Sequence, residues 1–137
     1  MKVFLDSSVV IAGIAFRGSA HALLTESFAT THEFLISEDV RDEAVRVLQE
    51  AFPRHAAEAR EVVGLLRAGV VPRAEYAARL VDFPGVRDPS DAHVLAAACT
   101  RACRLLVSWD KDILILRKVA GCEIVGPPEP LRRLRAD

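Results

Sequence analysis

Residues 2–8, with the sequence KVFLDSS, decide the fold of this chain. The apolar run is typical of a strand buried inside a sheet, and we expect it to deliver the carboxylate of Asp6 to the sheet edge. Ser7 or Ser8 is expected to cap the helix that the apolar residues 9–15 predict. The opening of the chain therefore predicts a strand, a turn that carries an acid, and a helix.

The composition indicates one α/β domain over residues 1–137. The chain is 51% hydrophobic with few aromatic residues, which favours helices packed closely on a sheet. The net charge of −1 gives no basic signature of a nucleic-acid-binding protein. All of the 18 cations except Lys2, Lys111 and Lys118 are Arg, however, and Arg is suited to fork-like contacts with phosphate.

The cysteines and the hydropathy pattern bear on the cellular compartment. Cys99, Cys103 and Cys122 lack the CxxC spacing of metal and redox sites, so we expect buried apolar side chains in a reducing compartment. Asp6 interrupts the apolar region that a signal peptide needs, and no stretch approaches the ~20 apolar residues of a membrane span. We expect a cytoplasmic protein with no membrane partner.

Apolar runs and helical patterns alternate along the rest of the chain, which is typical of a mostly parallel sheet covered by helices. The predicted strands cover residues 33–37, 70–72, 104–108 and 123–125. The predicted helices cover about 20–29, 38–52, 55–68, 75–81, 89–99 and 113–118, with a last helix from about Pro130 and a loop through Pro84 and Gly85. The expected fold is a three-layer α/β/α architecture.

The helix predicted at 38–52, capped by Ser37, turns one acid toward the core. A rotation of ~100° per residue places Glu43 near the edge of the apolar stripe and Asp42 on the far side. The stripe consists of Val40, Ala44, Val47, Leu48 and Ala51. We therefore expect Glu43 to be half-buried and Asp42 to be solvated.

We expect four separate segments to bring carboxylates to one place, the crevice outside the C-terminal ends of the strands. The candidate acids are Asp6, Glu43, Asp91, Asp110 and Asp112. Clustered carboxylates repel one another unless a cation neutralises them, and Mg²⁺ combines a few carboxylates with substrate phosphate oxygens. Such a site positions water for in-line attack, so the chemistry indicated is phosphodiester hydrolysis.

Each acid also has a local structural interpretation. Asp6 could cap its helix, Glu43 could be a first-turn acid, and Asp88 with Asp91 could form a capping pair at Pro89. Asp110 and Asp112 could belong to a plain turn. His93 is predicted to be packed or to face substrate, because no second His lies at ligand spacing. The joint placement of the acids favours the functional interpretation.

The chain resembles the PIN-domain family over nearly its whole length. The matching motifs are VFLDSS at 3–8, the segment from Ile36 through Glu43 to Leu48, DPSD at 88–91, and LVSWDKD at 106–112. The resemblance implies a PIN fold and a Mg²⁺- or Mn²⁺-dependent endoribonuclease. Many small members of this family are toxins of toxin–antitoxin pairs, so it also implies an RNA substrate, an antitoxin partner and a homodimer.

The resemblance assigns roles to individual residues. The family's acidic positions fall on Asp6, Glu43, Asp91 and Asp110, with Asp112 sharing or replacing the role of Asp110 as a metal ligand. Ser8 and Ser108 match its supporting hydroxyl positions, which hydrogen-bond the carboxylates or a metal-bound water. Trp109 departs from the pattern, because it is bulkier than expected beside an acid at the substrate entrance.

Other functions remain as alternatives. A non-catalytic RNA-binding or interaction module could keep the same fold. A receiver-like phosphoacceptor domain would need adjacent acids after the first strand, where this chain has Ser7 and Ser8. A phosphatase of the haloacid dehalogenase type is disfavoured, because Ser8 stands where it would have a second Asp.

Overall fold

The computed structural model describes residues 1–83, 86 and 88–136, and shows a six-stranded sheet. The strands are β1 (Lys2–Leu5), β2 (Glu33–Ser37), β3 (Gly69–Val71), β4 (Leu105–Val107), β5 (Lys118–Val119) and β6 (Cys122–Val125). Their order is β3-β2-β1-β4-β6-β5, and every pair is parallel except β5 with β6. This mostly parallel sheet with flanking helices confirms the predicted fold class.

The helices connect the strands in chain order. They are α1 (Ser7–Ala15), α2 (Ser19–Glu26), α3 (Glu38–Ala51), α4 (Ala59–Gly64), α5 (Arg73–Tyr76), α6 (Pro89–Thr100), α7 (Lys111–Leu114) and α8 (Pro128–Ala136), with 3₁₀ helices at Ser27–Ala29 and Ala77–Asp82. α1 contacts α2 and α3, α2 contacts α8, and α3 contacts α4. α5, α6 and the second 3₁₀ helix pack together, and α6 also contacts α3.

β1 lies at the centre of the sheet because its apolar residues are covered on both faces. Val3, Phe4 and Leu5 are each at most 1% exposed. Val3 pairs with Phe34 of β2 on one side and with Leu105 of β4 on the other. A continuous apolar run is what a central parallel strand requires.

The strand order reverses between β1 and β4. The chain steps from β1 outward to β2 and β3, then returns to β4 on the other side of β1 and continues to β6. The connections therefore diverge above the C-terminal ends of β1 and β4, which leaves a crevice at that point. Asp6 and Ser108 are the residues that directly follow these two strands.

Several predicted helix boundaries are wrong. α1 begins at Ser7 and is capped by Asp6, whose carboxylate accepts a hydrogen bond from the Ser7 N–H, so neither serine is the N-cap. The helix predicted at 55–68 is helical only in α4. Because Pro53 lacks the N–H that would continue the ladder of α3, residues 53–58 form turns instead.

The C-terminal third contains a hairpin that the sequence analysis missed. α7 begins at Lys111 and ends at Leu114, so Lys118 lies in β5 and not in the predicted helix. Ala120 and Gly121, with φ of 48° and 81°, connect β5 to β6 in a two-residue turn. Such a turn is usually indicated by Asn-Gly or Asp-Gly. Here Ala stands at the first position, so the sequence lacked the usual signal.

The remaining predictions on the helices have mixed outcomes. The burial of α3 agrees for Glu43, which is half-buried, and for Asp42, which is exposed. The apolar stripe is shifted, however, because Val45 is buried whereas Ala51 is exposed. The loop predicted through Pro84 and Gly85 lies outside the described residues.

Two of the three cysteines are buried, as the sequence analysis predicts. Cys103 and Cys122 are buried, Cys99 is half-buried, and all three are free thiols. No single described helix is long and apolar enough to cross a membrane. The segments Ser7–Ala15 and Ser19–Ala29, bent by 96°, reach that length and composition only as a pair.

Candidate active site

Asp6 lies at the centre of a hydrogen-bond network at the crevice. Its Oδ2 accepts hydrogen bonds from Ser108 Oγ (2.7 Å) and Ser8 Oγ (3.1 Å), and its Oδ1 accepts one from the Ser7 N–H (2.8 Å). The two hydroxyls are themselves 3.5 Å apart. Ser8 and Ser108 thus both contact Asp6, and their role in a reaction stays a prediction.

The surroundings of Asp6 act on its pKa in opposite directions. The side chain is only 5% exposed, and this burial raises the pKa. Hydrogen bonds from Ser108, Ser7 and Ser8 lower the pKa, and the nearby charge of Glu43 raises it. The net effect is a raised pKa, so the environment disfavours the ionised form of Asp6 unless a cation compensates its charge.

The same network extends into the segment after β4. Ser108 Oγ accepts a hydrogen bond from the Asp110 N–H (2.9 Å), and Ser8 Oγ accepts one from the Trp109 N–H (3.0 Å). Asp110 caps α7 by accepting from the Asp112 N–H (2.9 Å). The two serines therefore connect Asp6 to the backbone that presents the fourth acidic segment.

Three of the predicted acids form a close group. Among residues 1–83, 86 and 88–136, ligand oxygens of Asp91, Asp110 and Asp112 lie within 4.8 Å of one another. Asp91 is 4% exposed, and its burial, followed by the charges of Asp110, Asp88, Asp6 and Asp112, raises its pKa to about 6. Asp110 and Asp112 both belong to the group, which fits a shared role.

Glu43 is connected to Asp6 by a residue that the sequence analysis did not select. Ser7 Oγ donates to Glu43 Oε2 (2.8 Å) and lies 3.5 Å from Asp6 Oδ1. Ser7 was interpreted only as a helix cap, although its position next to Asp6 was a usable signal. Asp6 and Glu43 thus form a hydroxyl-bridged pair that is separate from the three-aspartate group.

His93 contacts a different acid. Its Nδ1 lies 3.2 Å from Asp39 Oδ2 without hydrogen-bond geometry, so the contact becomes an ion pair only when the imidazole is protonated. Asp39 also accepts hydrogen bonds from the Tyr76 hydroxyl and from Arg73 Nη2 (2.8 Å). His93 is packed edge-on to Tyr76, with ring centroids 6.3 Å apart.

The network around Asp39 fixes the start of α3, the helix that carries Glu43. Burial raises the pKa of Asp39, but hydrogen bonds from Arg73 and Tyr76 outweigh this and hold it below its usual value. Burial and the bond to Asp39 raise the pKa of Tyr76 to about 12, so its hydroxyl stays a donor. α5 thereby holds the first turn of α3.

The donor set fits a hard divalent cation. Every candidate ligand is a carboxylate oxygen, and oxygen ligands are those that Mg²⁺ and Mn²⁺ prefer. Burial and then repulsion from neighbouring carboxylates raise the pKa of Asp91, and a bound cation would relieve that repulsion. The local capping roles of Asp6, Asp88 and Asp110 are also present, so these caps and the acidic site coexist.

Comparisons with known proteins identify a family and a set of structures with the same fold. A family model described as a PIN domain matches residues 2–112. A structure of VapBC-1 from nontypeable Haemophilus influenzae has a TM-score of 0.67 at 11% identity, covering 93% of this chain and 99% of that one. A search of curated proteins finds no match.

Two further structures are similar. VapBC2 from Rickettsia felis, bound to a DNA fragment from its promoter, has a TM-score of 0.61 at 14% identity, covering 90% of this chain and 97% of that one. FitAcB from Neisseria gonorrhoeae has a TM-score of 0.60 at 13% identity, covering 91% and 97%. At these identities, the structural likeness shows a shared fold.

Proposed function

Because the chain belongs to the PIN domain family, we propose that it is a Mg²⁺- or Mn²⁺-dependent endoribonuclease that acts as the toxin of a toxin–antitoxin pair. The observation that carries this proposal is the acidic crevice at the strand-order reversal. There the oxygens of three aspartates lie within 4.8 Å, beside a buried fourth aspartate held by two hydroxyls.

The chain's own residues have distinct tasks in this proposal. Asp91, Asp110 and Asp112 hold the cation, and Asp6 completes the site with its position set by Ser8 and Ser108. Glu43 keeps its carboxylate toward the crevice through Ser7. A divalent cation held by these residues would neutralise negative charge on the phosphodiester and lower the pKa of water.

The decisive experiment measures cleavage of a labelled single-stranded RNA with Mn²⁺ or Mg²⁺ and with EDTA. We expect cleavage only with the metal. Asp6→Asn and Glu43→Gln should lower the rate by at least ~100-fold, because each removes a carboxylate from the site. Ser108→Ala should cost about 10–100-fold, as is usual when a ligand loses its orienting partner.

Asp42→Asn is the matched control for Glu43→Gln, because Asp42 is on the same helix but is solvent-exposed. It should retain full activity, and circular dichroism should show that all variants are folded. Full activity of Asp6→Asn would contradict the proposal. RNA binding without metal-dependent cleavage in the unaltered protein would favour the non-catalytic alternative instead.

The antitoxin and homodimer are part of the same proposal. The similar structures are assemblies named VapBC-1, VapBC2 and FitAcB, and VapBC and FitAB are toxin–antitoxin complexes. A toxin that cleaves cellular RNA needs an inhibitory partner in the same cell, which supports cytoplasmic action. A small open reading frame directly upstream of the gene is where we expect the antitoxin to be encoded.

A further inference from the structure

Trp109 has an unusual place beside the acidic crevice. It lies between Ser108 and Asp110, and its N–H donates to Ser8 Oγ (3.0 Å), so its backbone is part of the network around Asp6. Its side chain is nevertheless 44% exposed. A large indole on a fixed backbone is thus left open to solvent next to the site.

The ring of Trp109 lies beside Gly126 on one side. A Cβ placed at Gly126 would make ordinary van der Waals contact with the indole, at 3.5 Å from Cζ3 and 3.8 Å from Cε3. One edge of the indole therefore faces this glycine, and much of its surface is free.

The exposed part of Trp109 faces a cleft of about 250 Å³. Phe16 and Arg17, at the end of α1, also line this cleft. Phe16 is 59% exposed and packs edge-on against Phe52, with ring centroids 5.6 Å apart. Arg17 is exposed and, within the described ranges of the chain, makes no hydrogen bond or ion pair. The cleft thus combines aromatic surface with a guanidinium that is available to a ligand.

This combination matches the chemistry of a nucleotide. Exposed aromatic rings bind nucleobases by stacking, and an Arg beside them binds the phosphate through its planar fork. A base inside a duplex has both faces covered by its neighbours, so stacking on a side chain requires an unpaired base. The cleft and the acidic site share one segment of the chain, because Trp109 precedes Asp110 and its backbone N–H donates to Ser8 Oγ.

We propose that this cleft binds one unpaired nucleotide of a single-stranded RNA, with its base on Trp109 and a phosphate on Arg17. The choice of RNA rests on the proposed function. The role of the cleft is to hold the strand so that a neighbouring phosphodiester lies at the acidic crevice. It therefore makes single-stranded RNA the preferred substrate.

Trp109 is the single tryptophan of the chain, so intrinsic fluorescence reports on this site directly. Short single-stranded oligoribonucleotides are titrated into the Asp6→Asn protein in the presence of Mg²⁺. The Asp6→Asn substitution prevents cleavage during the measurement. The same oligonucleotide with an abasic centre and a duplex of the same sequence serve as comparison ligands. We expect strong quenching by the single strand and little by the other two.

Variants separate stacking from phosphate binding, with affinity measured by anisotropy of a labelled oligonucleotide. Trp109→Ala should weaken binding of the base-containing strand about 10-fold and leave the abasic strand unaffected. Trp109→Phe should restore part of the loss. Arg17→Gln should weaken both strands and reduce the slope of log affinity against log salt by about 0.7.

The control variants are Arg104→Gln and Leu65→Ala. Arg104 is an exposed cation at the opposite end of β4, and Leu65 is an exposed apolar residue after α4. Neither should change the affinity. If they weaken binding as much as Arg17→Gln and Trp109→Ala do, the binding is non-specific and the inference is wrong.

The outcomes distinguish this inference from the proposed function. Cleavage of RNA by the unaltered protein without any quenching would overturn the nucleotide site and leave the ribonuclease standing. Quenching by the single strand and weaker binding by Trp109→Ala, without cleavage by the unaltered protein, would overturn the ribonuclease and leave the nucleotide site. Equal quenching by base-containing and abasic strands would overturn the stacking. A change in tryptophan fluorescence on adding a protein partner, with none on adding RNA, would also overturn it.

Discussion

At the scale of single residues, the crevice shows how hydroxyl groups make a buried acid tolerable. Asp6 is almost fully enclosed, yet it accepts hydrogen bonds from Ser108, Ser8 and the Ser7 N–H. Hydrogen bonds to the charged form offset part of the cost of removing a carboxylate from water. The serines thus hold Asp6 in place and favour its ionised form.

Asp91 gives the protein a measurable pH dependence in metal-free buffer. Its pKa is about 6 in the folded state against ~3.9 when unfolded, so between these values the folded protein holds a proton that the unfolded chain has lost. Its contribution to the free energy of unfolding therefore falls as pH rises. In urea unfolding, the free energy of unfolding of Asp91→Asn minus that of the unaltered protein should rise by about 1–2 kcal/mol between pH 4 and 7.5. This value is reduced to allow for solvent screening.

A cation should reverse this effect. At pH 7.5 and 100 times its dissociation constant, Mn²⁺ should raise the free energy of unfolding of the unaltered protein by about 2.7 kcal/mol, because it binds only the folded state. Asp91→Asn should gain much less. Equal stabilisation of the two proteins by Mn²⁺ in calorimetry would show that Asp91 is not a ligand.

At the scale of elements, α1 depends on a close approach to α2. A Cβ at Gly13 would lie 2.3 Å from Leu24 Cδ1 and 3.1 Å from the Ala20 carbonyl oxygen. The carbonyl of Gly13 in turn is 2.9 Å from His21 Nδ1. Because Asp6 caps α1, this contact also affects how the acid is presented.

Gly13→Ala should destabilise the protein by about 1–2 kcal/mol in urea unfolding. The added methyl group overpacks the contact between the two helices, and the better helix propensity of Ala offsets only part of that cost. Gly64→Ala is the matched control, because nothing lies within 4 Å of its Cβ position at the end of α4. That variant should gain up to about 0.5–1 kcal/mol, and a loss equal to that of Gly13→Ala would contradict the packing argument.

At the scale of the whole molecule, the site exists because β1 and β4 are neighbours. Ser108 donates to Asp6 across 102 positions of sequence, and the Asp6 N–H donates to the Val107 carbonyl (3.0 Å). The strand order, with its reversal at this pair, brings acids from four segments of the chain to one crevice.

The proposed assembly is tested on the full chain. Expressed alone, the 15.0 kDa chain should behave in light scattering as a particle of twice that mass and should arrest growth. Co-expression with the product of the small upstream open reading frame should relieve the arrest and give a larger, stable complex. A monomer that leaves growth unaffected would contradict this part of the proposal.

The accuracy of the sequence-based predictions follows from the range of the interactions involved. The strands β1 and β2 were predictable, and so was the greater burial of Glu43 than of Asp42, because apolar runs and helical periodicity are local signals. The turns at 53–58 and the hairpin at Ala120 were missed, because their signals were weak. The bridge from Ser7 to Glu43 was missed because it joins two elements.

The sequence by itself determined five of the six described strands, which acids follow them, and which face of α3 carries Glu43, because these depend on neighbouring residues. Only the tertiary structure decided how the acids are divided. It placed Asp91 with Asp110 and Asp112, and paired Asp6 with Glu43 through Ser7. It also left Trp109 open beside them, because contacts between distant segments depend on strand order and helix packing.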